Sequence, residues 1–502
     1  MDRQRGPQPR TTERRCFIPI DSYATSHPCT DRRHASIGST TMSATKCENA
    51  GVLSGSARGS RDTHTAVASA LRIAKQSKAS IGFALFDQSM TSFANFSLFT
   101  IAARVTPIDE FGHYSIAWAF SMLIVFAGTA LLIDPLPAIT SIRRPWVRRP
   151  LLAAAVRLSV VMGCVLAALL ATGGRIAQAW SPTYAGLLLC LAVTSPLQLL
   201  QSTSRRLCYL QRREGIAAAS AVAYAAALTI GIGVLWACAQ FSASGLLLLS
   251  GAASLAAAAA GVAGRCVPLS KVRAPLLRWL MKECWRSGKW LAGAVVTTSM
   301  KNFLILSITA VVFGPAASGI LRAVSVLFMP VYQAVSAMGA LLIPRVAEVG
   351  ADSSGSRLPT VALQTMAGLA ALATMYSAVM LVFGSDLLML VYKKPEMASA
   401  SAWLWPFSIC AVLDAVAGAI AIVLVGIAVT RFTFWAGVAS TVVLVTGALC
   451  LGPAIGADAI AWAIAVGSAA STVIHGFALA TAIRRRSCRR VQTVLTEPTI
   501  GY

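Results

Sequence analysis

Charge is scarce in this chain. Of 502 residues only 12% are Asp, Glu, Lys or Arg, and acids are the rarer sign, 19 against 43 Lys and Arg. A soluble domain carries about a quarter charged residues, so a large water-facing surface is excluded. No G-x-x-x-x-G-K-[ST] stretch occurs, which removes ATP hydrolysis through a phosphate-binding loop. The twelve cysteines form no C-x-x-C pair; they read as small apolar packing residues, and no metal site or cofactor is expected. Alternating strands of about ten residues, the mark of a membrane barrel, are missing. Carboxylates and histidines do not gather in any connection between apolar blocks, so a membrane-embedded glycosyltransferase or ligase lacks its acid–base groups. His113 and His475 stand alone.

What is present is long and apolar. Hydrophobic residues make up 56% of the chain, and mean hydropathy is +0.68. They come in blocks long enough to cross a hydrocarbon core of about 30 Å as helices, the one open-chain form that satisfies its own backbone in lipid. Twelve blocks are read, at about 81–103, 115–139, 151–172, 184–204, 216–238, 242–264, 290–313, 321–344, 361–390, 402–429, 432–451 and 457–482. The sequence therefore predicts an all-α polytopic membrane protein.

Lys and Arg alternate between connections. The even ones carry RRPWVRR (Arg143–Arg149), RRLCYLQRR (Arg205–Arg213) and a loop holding Lys271, Arg273, Arg278, Lys282, Arg286 and Lys289. The odd ones are nearly bare, except for Lys393 and Lys394. Positive loops stay in the cytoplasm, so both termini are placed there. The net charge of +24 then reflects topology and attraction to anionic inner-leaflet lipid. Nucleic acid is not an expected partner, because the charge is spread over separate loops.

Residues 1–79 are read as a disordered basic tail, too polar to order themselves, with residues 65–78 as a candidate interfacial helix and Met42 as an alternative start. Domain boundaries follow: 80–264 and 290–483 as two six-helix bundles, 265–289 as a basic linker and 484–502 as a basic tail.

The two bundles are expected to be copies. Laying residues 91–137 on 298–344 without a gap gives twelve identities, among them Asn95/Asn302, Phe96/Phe303, Gly112/Gly319 and Pro137/Pro344. The offset spans an even number of helices, so the copies share one orientation, as parallel repeats with a central seam where transporters place substrate.

These residues carry a resemblance. A first helix ending in Ala-Arg, the run ARVTPIDEFGHYSIAWAF and a second helix closing with DPLPA resemble the oligosaccharide flippases of the multidrug/oligosaccharidyl-lipid/polysaccharide exporter superfamily. The Pro-x-x-acid-Phe-Gly-x-Tyr turn is the most specific piece, and the second copy keeps only Gly-Pro and Gly319. Over about residues 80–485 the resemblance implies a V-shaped inner-membrane transporter with a central cavity. Its implied cargo is a polyprenyl-diphosphate-linked oligosaccharide for exopolysaccharide, capsule or O-antigen assembly. Polysaccharide polymerase and glycosyltransferases are the implied protein partners.

Ionisable residues inside spans are the binding candidates, since each costs from about 2.5 kcal/mol at the bilayer centre. Lys301 reads either as a contact for the lipid diphosphate or as the structural partner of Asp414. Asp87 reads as a titrating acid or as a first-turn carboxylate, and Arg157 as a cavity residue or a snorkelling one. Asn95 and Asn302 are polar enough to bond a glycan or a neighbouring helix. Arg104 and Arg322 are placed at outer helix ends, where long side chains snorkel. A drug/cation antiporter of the same superfamily is the competing reading; it needs buried acids, and Lys301 repels its cargo.

Overall fold

The computed structural model describes residues 59–141, 145–239, 241–268, 270, 272–351, 358–427 and 429–496. The architecture set out below is that of Ala68–Tyr502. The first-half helices are α1 (Gly59–Val105), α2 (Ile108–Leu132), the short α3 (Leu136–Ser141), α4 (Pro145–Ala177), α5 (Pro182–Leu210), α6 (Glu214–Ala237) and α7 (Ala243–Ala263). The second-half helices are α8 (Ala274–Phe313), α9 (Pro315–Leu327), α10 (Met329–Ala351), α11 (Leu358–Tyr392), α12 (Leu404–Gly426), α13 (Arg431–Ile455) and α14 (Asp458–Thr496). A 3-10 stretch, Pro395–Trp403, leads into α12.

Among the described residues ten helices are long and apolar enough to cross a bilayer, or eleven when α9 and α10 count as one bent span. Helix α1 falls outside that count because Asp87, Gln88 and Asn95 dilute its apolar residues. It stands where the first of the twelve expected spans was read, so the structure's count is ten or eleven against twelve expected. The fold is that of an all-α polytopic membrane protein.

Differences from the sequence reading have local causes. The block expected at 321–344 is two helices meeting at 51°. Pro330, in the first turn of α10, has no N–H to give and crowds the preceding carbonyls. Helix α9 begins at Pro315, six residues before the expected block, because Gly314 takes φ +90° and the proline's fixed φ suits the first helical position. Helix α1 begins at Gly59, inside the segment read as disordered tail; residues 1–58 of that segment lie outside the described residues. Helix α14 runs to Thr496 through the basic RRRSCRR stretch.

The helices pack through small residues and buried hydroxyls, the usual means where lipid offers no hydrophobic drive between spans. Gly251 of α7 lies on Thr194 of α5, and Gly261 on Ser204. Gln198 of α5 donates to Ser250 of α7 at 3.2 Å and accepts from Ser121 of α2, the interhelical use expected of such a residue. The start of α7 is capped twice: locally, Ser242 accepts from Gly245 N at 3.1 Å, and across the bundle Glu110 in the first turn of α2 accepts from Ala243 N at 3.0 Å.

The bundle has two ends. The turn end carries the α1–α2 and α8–α9 turns; the linker end carries the α7–α8 connection.

Candidate functional site

At the turn end the two sequence copies touch at matched positions. Helix α2 packs on α9, and a Cβ placed on Gly112 falls 2.0 Å from Pro315 O, while one on Gly319 falls 2.7 Å from Ile108 O. Backbone therefore lies against backbone, and only glycine fits at either place. Two cations reinforce the closure. Arg104, leaving α1, donates to the carbonyls of Leu390 (2.6 Å) and Val391 at the end of α11, and Lys394 donates to Thr106 O. Arg104 thus caps orphan helix carbonyls instead of snorkelling freely. Lys394, which broke the charge alternation, serves the same closure.

Beneath this closure an aromatic cluster lines the α1–α2 corner. Phe99 meets Phe111 edge-on with centroids 6.4 Å apart, and Trp118 edge-on at 5.4 Å. Below it opens a cavity of about 500 Å³ whose lining comes from α1, α2, α8, α9 and α10. Its polar lining includes Asn95, Asn302, Ser299 and Gln333. Tyr224 of α6 holds Asn95 by donating to its Oδ1 at 2.9 Å. At the side toward the linker end, Gln88 of α1 donates to Gln333 of α10 at 2.5 Å, a polar bridge between the two halves.

Arg322 is the one charged residue in that lining. Its guanidinium carbon stands 4.3 Å from the centroid of the Phe99 ring, a contact worth about 0.5–2 kcal/mol. Its Nε is buried with no hydrogen-bond partner, and its electrostatic neighbours are the phenols of Tyr114 and Tyr392, with no carboxylate among them. The sequence reading placed Arg322 at a helix end. It lies two turns inside α9, because the helix starts at the Gly-Pro pair; that pair was the signal available to find it.

The six expected site residues separate. Asn95 and Asn302 line the cavity. Lys301, expected there as a phosphate contact, is not in the lining; one residue turns a helix by about 100°, so Lys301 points away from Asn302's direction and feels Asp414 and Cys410 of α12. Lys301 and Asp414 form no ion pair within 4 Å among the described residues; Asp414 Oδ2 instead accepts from Tyr332 at 3.3 Å and Cys410 at 3.4 Å. Asp87 is fully buried in α1, away from the lining. It pairs with Arg205 of α5 at 2.7 Å and accepts from Tyr209. Arg157 donates to Val272 O at 3.2 Å, tying α4 to the segment before α8. Asp134, which follows α2, pairs with Arg206 of α5.

No protein-family model matches the chain, and no curated protein matches it. Solved structures do. An inward-facing multidrug resistance MATE family transporter of the MOP superfamily aligns with a TM-score of 0.68 and 11% identity, over 79% of this chain and 95% of its own. The lipid II flippase MurJ in an inward closed conformation aligns at 0.62 and 11% identity, over 84% and 93%. A mutant of the Vibrio cholerae MATE transporter VcmN aligns at 0.62 and 12% identity, over 82% and 98%. The chain has the fold of these transporters. Identity this low speaks for the fold alone.

Proposed function

We propose that the protein is an alternating-access transporter that flips a polyprenyl-diphosphate-linked oligosaccharide across the cytoplasmic membrane for surface-polysaccharide assembly. One observation carries the reading: among the described residues the charge lining the central cavity is a single arginine, Arg322, with no ion-pair partner and no carboxylate beside it. A guanidinium whose buried Nε has no partner among the described residues is matched by an anion, and its planar fork suits phosphate oxygens. The amides of Asn95, Asn302 and Gln333 offer both donors and acceptors to sugar hydroxyls. The aromatic walls suit the apolar faces of sugar rings.

A cation antiporter is less well supported. The acid it would use in α1, Asp87, is neutralised by Arg205 and stands off the cavity.

The closed turn end faces the outside in this reading, because Arg148, Arg149, Arg212, Arg213 and Arg273 cluster at the linker end. The two halves then rock against each other, parting the Gly112–Gly319 contact when the cavity opens outward and holding it when the cavity opens toward the linker end. Impermeant thiol labelling of intact cells should reach Gln178→Cys at the turn end and spare Arg148→Cys at the linker end; the reverse pattern overturns the orientation.

The cargo is tested at Arg322. Arg322→Ala should abolish polysaccharide export at unchanged membrane abundance, and Arg322→Lys should keep part of it. In detergent, wild type should be thermally stabilised by inorganic pyrophosphate and Arg322→Ala should not. Stabilisation by tetraphenylphosphonium in place of pyrophosphate would instead favour the antiporter.

A further inference from the structure

Beside the cavity lies a second concavity that the proposed function does not use. It is a groove of about 250 Å³ between α1 and α6, walled by Met90, Phe93, Ala94, Val222, Ala226 and Ile232 among others. It offers no charge. Two hydroxyls border it: Thr229 donates to the carbonyl of Ala225 at 2.9 Å, and Ser97 stands in the α1 wall. Phe93 belongs to both linings, groove and cavity, and is 68% exposed. The two spaces therefore adjoin across one ring.

The matching place in the second half is shut. There α8 packs on α13. A Cβ on Gly293 would fall 2.8 Å from the Phe434 ring, and one on Gly437 would fall 2.4 Å from Thr297 Oγ1. Position 90, matched to Thr297 by the repeat, instead borders open space. An accident of packing shared by both halves does not account for a groove in one of them.

Building on the proposed function, we infer that this groove seats the isoprenoid chain of the cargo while its diphosphate meets Arg322. Phe93 is the doorpost between them. The chemistry of the two spaces divides as such a molecule does: an apolar slot for the chain, a cationic and amide-lined chamber for the head. The reach fits. Phe93 and Phe99, on which Arg322 stacks, are separated by about 9 Å along α1 at 1.5 Å per residue. Alanines at 94, 225 and 226 leave hollows between the larger Met90, Val222 and Ile232, and a methyl-branched chain fills hollows that a straight acyl chain leaves empty. The cargo's tail thus never leaves an apolar setting while the head crosses.

The test uses the full chain in phosphatidylcholine nanodiscs. Two probes are compared: geranylgeranyl diphosphate with a terminal diazirine, and phosphatidylcholine with a diazirine-bearing acyl chain. The diphosphate probe should label peptides holding Met90–Ser97 and Val222–Ile232 at least tenfold over the other lipid-facing helices, and the phosphatidylcholine probe should not. Ala226→Trp, at an exposed position that leaves the bundle interior untouched, should cut that labelling about tenfold. It should also slow export while leaving the pyrophosphate-induced thermal shift intact. Ala225→Leu should act in the same direction by a smaller factor. Even labelling along all lipid-facing helices, alongside a normal pyrophosphate shift, overturns the groove and leaves the anionic-cargo reading standing. Equal groove labelling by both probes, with no pyrophosphate shift in wild type, overturns both.

Discussion

Helices α1 and α8 carry matched halves of one repeat and end in different chemistry. Each puts the asparagine of its Asn-Phe pair in the cavity lining, Asn95 and Asn302, and in the first half Phe96 joins it. One position earlier they part: Ala94 is buried against the groove in the first half, whereas Lys301 faces Asp414 in the second. The buried acid differs too. Asp87 is gripped by Arg205 and Tyr209; among the described residues Asp414 accepts from a phenol, Tyr332, and a thiol, Cys410, and from no cation. A shared backbone fixes where side chains point, and the two copies use that freedom separately. The first half is electrostatically closed, and the second holds two opposite charges out of contact.

The largest expected effect breaks the closed half. Arg205→Ala leaves a carboxylate with an already unsatisfied oxygen buried without its cation, a loss of about 3–5 kcal/mol. The unfolding midpoint in detergent should drop by several degrees more than for Lys301→Ala, and Asp87→Asn with Arg205→Ala should recover much of it. If Lys301→Ala proves the more damaging, the contrast drawn between the halves is wrong.

Next in size is the contact the halves share. Gly112→Ala drives a methyl into Pro315 O, and Gly319→Ala one into Ile108 O. Overpacking of this kind costs about 1–3 kcal/mol. Either change should raise thiol accessibility of a cysteine placed at Phe99, reported as the labelling rate. Equal increases from the two variants sharpen the view that both copies bear the closure alike.

Arg104→Ala removes two charge-assisted bonds to α11 carbonyls, but at an exposed site. It should open the turn end by less, about 1 kcal/mol in the open–closed balance, read by spin-label distances between α1 and α11. The smallest effect belongs to Arg157→Ala, which loses one carbonyl tie and should cost under about 1 kcal/mol of stability, read as a small drop in the unfolding midpoint.

Much of the fold was legible because spans and turns are written in composition and in Gly and Pro. Span count, the Gly112/Gly319 match and the cavity asparagines all rest on periodicity that one sequence carries. The charged site was less legible. Lys301 drew attention by its central depth, yet depth says nothing about direction round the helix. Arg322 was misplaced because its helix start was set by hydropathy and not by the Gly-Pro signal. The pairing of Asp87 with Arg205 and Tyr209 joins residues more than a hundred positions apart, and no local pattern announces it.

The Gly112–Gly319 contact has a further consequence. It is an isologous interface of the kind that joins two identical subunits, except that here both partners are covalently part of one chain. In a true homodimer a single substitution appears on both faces at once; here each face can change alone. A residue on the contact is judged against its opposite number, so drift on one side meets an unchanged partner. Residues off the contact, such as Ala94 and Lys301, escape that judgement. The fused arrangement thereby separates two tasks: the seam stays symmetric and keeps the halves in register, while the flanks are free to diverge into an open groove on one side and a charged cluster on the other.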